Sequence, residues 1–236
     1  NPGTFAPGVS LPIANRGISV AVGDLNHDGL PDLAVTSFDI NGDGGLVTIY
    51  FQDPNNPGTF LPTPTVITAA GEPSQIRIAD VNQDGSPDLV IACQGLGYNS
   101  STDSADALSG AMVILQNAGT PGTFATPIVY PAAVAGAISL AIGDLNMDGL
   151  PDIAVAGIYP QGQGTISVLL QDPTAAGTFL AASSNPGSGQ PVSIVIGDVD
   201  NDGLPDLVVA DSTDAIWLQN SSTAPGTFIA QPLIGY

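Results

Sequence analysis

Four nine-residue stretches hold most of the acid in this chain, and each sets oxygen-bearing side chains two residues apart. The first, DLNHDGLPD at 24–32, has Asp24, Asn26, Asp28 and Asp32 at its first, third, fifth and ninth places. Leu30, at the seventh, adds a backbone carbonyl. The second offers Asp80, Asn82, Asp84, Ser86 (through its carbonyl) and Asp88; the third offers Asp144, Asn146, Asp148, Leu150 and Asp152. The fourth offers Asp198, Asp200, Asp202, Leu204 and Asp206, with one carboxylate more than the others. The sixth place is always glycine, beginning with Gly29, where a tight turn calls for positive φ. Alternating oxygens folded back by such a turn enclose a hard cation of calcium size, as the first part of an EF-hand loop does. A complete EF-hand is excluded. Its twelfth place needs a bidentate Glu, and here it is Val35, Ile91, Val155 or Val209, inside an apolar run.

Packed carboxylates repel one another until a divalent ion joins them. The four loops hold thirteen of the 22 acidic residues, and four doubly charged ions would offset eight of the twenty net negative charges. With a Kd of about 10⁻⁴–10⁻³ M and roughly millimolar Ca²⁺, each site stabilises the fold by about 0.4–1.4 kcal/mol. Transition metals fit less well, because no loop supplies a nitrogen or sulfur ligand. Mg²⁺ prefers more water and a stricter octahedron. The plain alternative is an Asx-rich turn with no ion, but such a turn does not require carboxylates at the first, fifth and ninth places of all four copies.

Two arginines, Arg16 and Arg77, are the only cationic side chains, and the formal net charge is −20. That field repels nucleic acid and anionic membrane surfaces and attracts cations. No apolar run reaches about 18 residues, so no membrane insertion is expected. Cys93 is the one cysteine, so intrachain disulfides and thiol-rich metal sites are excluded, and its apolar surroundings predict a buried, inert thiol. No signal peptide is visible, and the chain is expected to be a mature or excised piece.

The loops must be held by something, and the pattern around them is β. Before each comes an alternating run (ISVAVGD, SQIRIAD, ISLAIGD, VSIVIGD), and after it a short apolar strand (LAV, LVI, IAV, LVV). A third strand follows (LVTIYFQ, AMVILQN, TISVLLQ, AIWLQN), and a fourth begins at a GTF marker. PGTF stands at 2–5, 57–60, 121–124 and 225–228, with AGTF at 176–179. Two markers in one register define one repeat domain, 1–236. Its units run at about 3–57, 58–121, 122–176 and 177–225, with a terminal strand at 226–236. Four strands per unit of roughly 50 residues suit a β-propeller blade. A β-sandwich would not need the same acidic loop at the same strand junction in every unit, and a β-solenoid has shorter coils.

The pattern D-x-[ND]-x-D-G-x-x-D between two strands, with GTF recurring, resembles the FG-GAP/VCBS repeats of integrin-type β-propellers over essentially the whole chain. The resemblance implies an all-β propeller of four-stranded blades with loops on one face binding about four Ca²⁺. It also implies an extracellular or cell-surface location and a role in adhesion, sugar binding or protein contact. Such propellers commonly have seven blades, and only four acidic loops are present here. The strand count predicts one GTF strand too many for a closed four-blade ring. The ring is therefore expected to be completed by further sequence or by self-association through the terminal strands.

Catalytic parts are scarce. His27 stands in a loop at a place taken by Gln83, Met147 and Asn201 elsewhere, so Ser-His and Cys-His chemistry is excluded. The nine acids outside the loops form no recognisable pair. The insertion at 95–110 offers Tyr98 and Asn99 as candidates to stack on and hydrogen-bond a sugar. Asn99 and Asn220 begin glycosylation sequons. Arg77 replaces Ala21, Ala141 and Val195 of the other units, where an ion pair with a nearby acid is expected. The expected function is a calcium-stabilised module that binds protein or glycan or assembles into a larger surface structure. The alternative is the propeller domain of a polysaccharide-active enzyme.

Overall fold

A computed structural model describes residues 8–38, 44–95, 109–132, 134, 136–158, 164–186, 189–211 and 215–230. Among them are sixteen strands and no helix. They form four antiparallel meanders. The first joins β1 (Arg16–Gly23), β2 (Asp32–Phe38), β3 (Gly45–Tyr50) and β4 (Thr65–Ala69). The second joins β5 (Glu72–Ala79), β6 (Asp88–Gln94), β7 (Gly110–Ile114) and β8 (Ile128–Pro131). The third joins β9 (Gly136–Gly143), β10 (Asp152–Ile158), β11 (Gly164–Leu169) and β12 (Ser183–Pro186). The fourth joins β13 (Pro191–Gly197), β14 (Asp206–Asp211), β15 (Ala215–Asn220) and β16 (Phe228–Ala230). One residue pair, Gln94 at the end of β6 with Gly136 at the start of β9, ties the second meander to the third. This is a β-propeller of repeated blades.

Alternation along each strand gives every meander two apolar faces, and the faces stack. One layer sets Ala34, Val47 and Ile49 of the first meander against Ile76, Leu89, Ile91 and Met112 of the second. The opposite face of the second, with Val90, Ala92 and Val113, meets Leu140, Ile153 and Val155 of the third. Ala154, Ile166 and Val168 then meet Ile194, Leu207 and Val209 of the fourth. Cys93 is fully buried in the first of these layers, as expected, and burial pushes its thiol up to about 12.

Each first strand carries a bulge at the same place, between Gly17 and Ser19 and between Pro73 and Gln75. The others lie between Pro191 and Ser193 and where β9 meets Ala156 and Gly157. A bulge increases local twist, which splays successive blades around an axis. The GTF marker is a turn with a mechanism. Gly58, Gly122, Gly177 and Gly226 have φ between 73° and 89°. The threonine hydroxyl donates to the carbonyl three residues back, as Thr59 does to Asn56 at 2.7 Å. The phenylalanine bridges back to the end of the third strand, pairing Phe60, Phe124 and Phe179 with Gln52, Gln116 and Gln171.

Candidate metal-binding loops

Each acidic loop links the first strand of a blade to the second, so both its ends are anchored in a ladder. Asp24 shows how the turn closes. Its Oδ1 accepts the Asp28 amide at 3.2 Å and its Oδ2 the Gly29 amide at 2.9 Å. Asn26 Oδ1 accepts that same Asp28 amide at 3.1 Å, which draws the first and third oxygens together. Asp28 Oδ1 accepts the Leu30 amide at 2.8 Å. The same bonds recur around Asp80, Asn82 and Asp84, around Asp144, Asn146 and Asp148, and around Asp198, Asp200 and Asp202. The fourth residue of each loop is left-handed without being glycine: His27, Gln83, Met147 and Asn201 have φ of 59°, 56°, 63° and 59°. His27 is exposed there.

The ninth residue behaves differently. Asp32, Asp88, Asp152 and Asp206 are fully buried. Asp32 Oδ2 accepts the amide of Leu25 and Oδ1 that of Gln52, both at 2.8 Å. Asp88 does the same for Val81 and Gln116, Asp152 for Leu145 and Gln171, and Asp206 for Val199 and Asn220. One carboxylate thus fastens the loop's start to the end of the third strand. Burial raises the pKa of Asp32, and it carries Asp88 and Asp152 up to about 6. The two backbone amides and the neighbouring carboxylates modify that shift without reversing it.

Asp198, Asp200 and Asp206 each bring an oxygen within 4.8 Å of the other two. In the other loops the middle member is Asn26, Asn82 or Asn146, a neutral oxygen in the same place. All donors are oxygens, so the set suits a hard cation. Adjacent loops lie on one rim: Gln83 Nε2 donates to the Gly149 carbonyl at 2.6 Å.

The sequence did not single out the third-strand amides, although Gln recurs in YFQ, ILQ and LLQ. Gln116 Nε2 donates to Pro87 in its own blade and to Leu25 in the preceding one, at 3.0 and 2.9 Å. Gln171 repeats this with Pro151 and Val81, and Asn220 with Pro205 and Leu145. Asn220 is therefore buried with both amide hydrogens engaged, which removes it as a glycosylation acceptor. Tyr98 and Asn99 lie outside the described residues. Arg77 is exposed and has no acidic partner among the described residues, contrary to the expected ion pair.

Sequence comparisons agree with this architecture. The FG-GAP repeat family matches residues 16–50, and the FG-GAP-like repeat family matches 144–209. Integrin alpha-IIb of Mus musculus is 31% identical over 146 residues, covering 57% of this chain and 14% of its own length. Integrin alpha-7 of Homo sapiens is 32% identical over 154 residues, 59% of this chain and 12% of its own. Integrin alpha pat-2 of Caenorhabditis elegans is 28% identical over 222 residues, 82% of this chain and 17% of its own. The chain thus spans a small part of these relatives. Fold and matches together support a β-propeller of FG-GAP repeats similar to those of integrin alpha chains.

Proposed function

We propose that this chain is a calcium-stabilised extracellular or cell-surface module that binds a protein or glycan partner, with one Ca²⁺ in each acidic loop. The supporting observation is the recurrence of one oxygen geometry at the same strand junction in four blades, with the fifth carboxylate exposed each time. Asp24, Asn26, Asp28 and Asp32, the Leu30 carbonyl, and their counterparts in the other loops are the ligands. The similarity to integrin alpha chains supports an adhesive role over an enzymatic one. No geometric observation favours the polysaccharide-active alternative: Cys93 is buried, and His27 stands exposed in a loop.

Titration calorimetry with Ca²⁺ on chelator-treated protein tests the metal assignment. Uptake of about four ions is expected, and no uptake overturns it. Protein and glycan arrays, run with Ca²⁺ and with EDTA, test recognition. Binding that EDTA abolishes is expected, whereas turnover of a polysaccharide would overturn the binding-module reading.

A further inference from the structure

The first strands of successive blades lie side by side, and edge amides bridge them. Ile76 donates to Ser19 Oγ at 3.3 Å, Leu140 to Gln75 Oε1 at 2.6 Å and Ile194 to Ser139 Oγ at 3.3 Å. Amides two residues apart in a strand point the same way. Those of Ile78, Ile142 and Ile196 therefore also leave their sheets on this side, and none has a hydrogen-bond partner there among the described residues. With Leu140, Ile194 and Arg77, these three residues line an open groove of about 380 Å³ along β5, β9 and β13. The blades of β5 and β9 each have a described blade on both sides, so their part of the groove lies inside the array and not at either end of it.

Arg77 gives the groove its one charged side chain among the described residues. Alternation turns Ile76 and Ile78 toward the first blade and Arg77, like Ala79, toward the third. The first and third blades have Ala21 and Ala141 at that place, half-buried against the blade that follows. An arginine is too long for that space. Arg77 is exposed, and it has no acidic partner among the described residues, although the chain carries 22 acids against two arginines.

We propose that this groove binds a small carboxylate carried on a hydrocarbon body. Arg77 pairs with the carboxylate, an edge amide of Ile78 or Ile142 supplies a further donor, and the aliphatic walls cover the body. The edge carbonyls on the same side are left to solvent. Apolar walls with a few convergent polar groups are the usual build of a small-molecule site, and the volume falls in the common range of roughly 300–1,000 Å³. A sugar acid would meet Arg77 but gain nothing from isoleucine and leucine walls. The net charge of −20 opposes an anion at a distance, yet salt screens that field beyond about 8–10 Å, whereas Arg77 acts at contact. No proposed calcium ligand lines the groove, so the inference goes beyond the calcium reading and does not depend on it.

Titration of the full chain with octanoate, followed amide by amide by NMR, tests it. Saturable shifts are expected at the amides of Ile78, Ile142 and Ile196, with Ca²⁺ or with EDTA. Octanamide has the same body without the charge and is expected to bind at least about tenfold more weakly. Arg77→Ala installs the residue of the first and third blades, so far-UV circular dichroism should not change while octanoate affinity falls by about tenfold or more. Arg77→Lys is expected to recover part of that loss. The octanamide comparison uses the wild type alone, so it decides the matter even if a variant fails to fold. No saturable shift at these amides overturns the proposal, as does octanamide binding as tightly as octanoate. Sulfate binding as tightly as octanoate would mean that the walls play no part, and overturns the ligand class.

Discussion

Each loop contains two kinds of aspartate, and they differ in how far the fold itself uses their oxygens. The ninth residue is buried, with both oxygens committed to backbone amides from two different strands. The fifth is exposed in every copy, and the first is half-buried in three copies and exposed in the fourth. Both kinds are written with the same letter, at places that a ligand template treats alike. The difference is one of environment: a carboxylate out of water must be hydrogen-bonded to stay ionised, whereas one at the rim has water available until a cation replaces it.

The sharpest way to break the comparison is to delete one member of each kind in the same loop. Asp152→Ala leaves the buried amides of Leu145 and Gln171 without an acceptor. Losing two charge-assisted bonds is expected to cost about 2–4 kcal/mol in EDTA, and about 1 kcal/mol more in millimolar Ca²⁺, because Asp152 is also a proposed ligand. Asp148→Ala is expected to change little in EDTA and to lose only one ion's contribution, about 1 kcal/mol, in millimolar Ca²⁺. Urea unfolding of both variants under both conditions checks this; equal losses in EDTA would erase the distinction. Across all four loops, chelation of the wild type is expected to remove about 2–5 kcal/mol if the sites act independently.

Proton binding separates the two kinds by sign. Asp88 and Asp152 have folded pKa values of about 6, raised from an ordinary value near 3.8 mainly by burial. The folded state therefore binds protons more readily than the unfolded chain between those values. In EDTA, stability is expected to rise as pH falls from 7 through 6 toward 4, and to be lost again as pH climbs through 6. In Ca²⁺ the same acidification protonates the ion's ligands, and the calcium increment is expected to shrink. Melting temperatures over pH 4–7 with and without the ion check both slopes. Asp152→Asn should weaken the rise seen in EDTA.

What the sequence showed and what it hid follow from the range of each interaction. Oxygen spacing, the turn glycine and strand alternation are local, so loops and strands were legible. The second role of Asp152 was not, because its partner amide on Gln171 lies 19 residues on, across two strands. Gln116 and Asn220 recur visibly at the end of the third strand, but the carbonyls they reach lie 91 and 75 residues away. The sequon at Asn220 misled for the same reason, since a local pattern carries no information about burial. Val20 and Leu140 occupy the same place in their repeats, yet one is exposed and the other buried, because the strand itself does not say what stands in front of it.

The smallest expected effect lies at the loop's fourth residue, which touches neither class of aspartate. Met147 sits exposed at φ 63°, a conformation that crowds the β-carbon of most residues but suits asparagine. Loop four already has Asn201 there, at φ 59°. Met147→Asn is therefore expected to stabilise the protein by about 0.5–1 kcal/mol, and Asn201→Met to destabilise it by a similar amount. Because the strain belongs to the backbone and not to the oxygen cluster, the two shifts should be the same in EDTA and in Ca²⁺. Thermal unfolding of both variants tests this. A gain confined to the calcium form would mean that the fourth residue shapes the ion's cage, and the backbone-strain account of that position would fall.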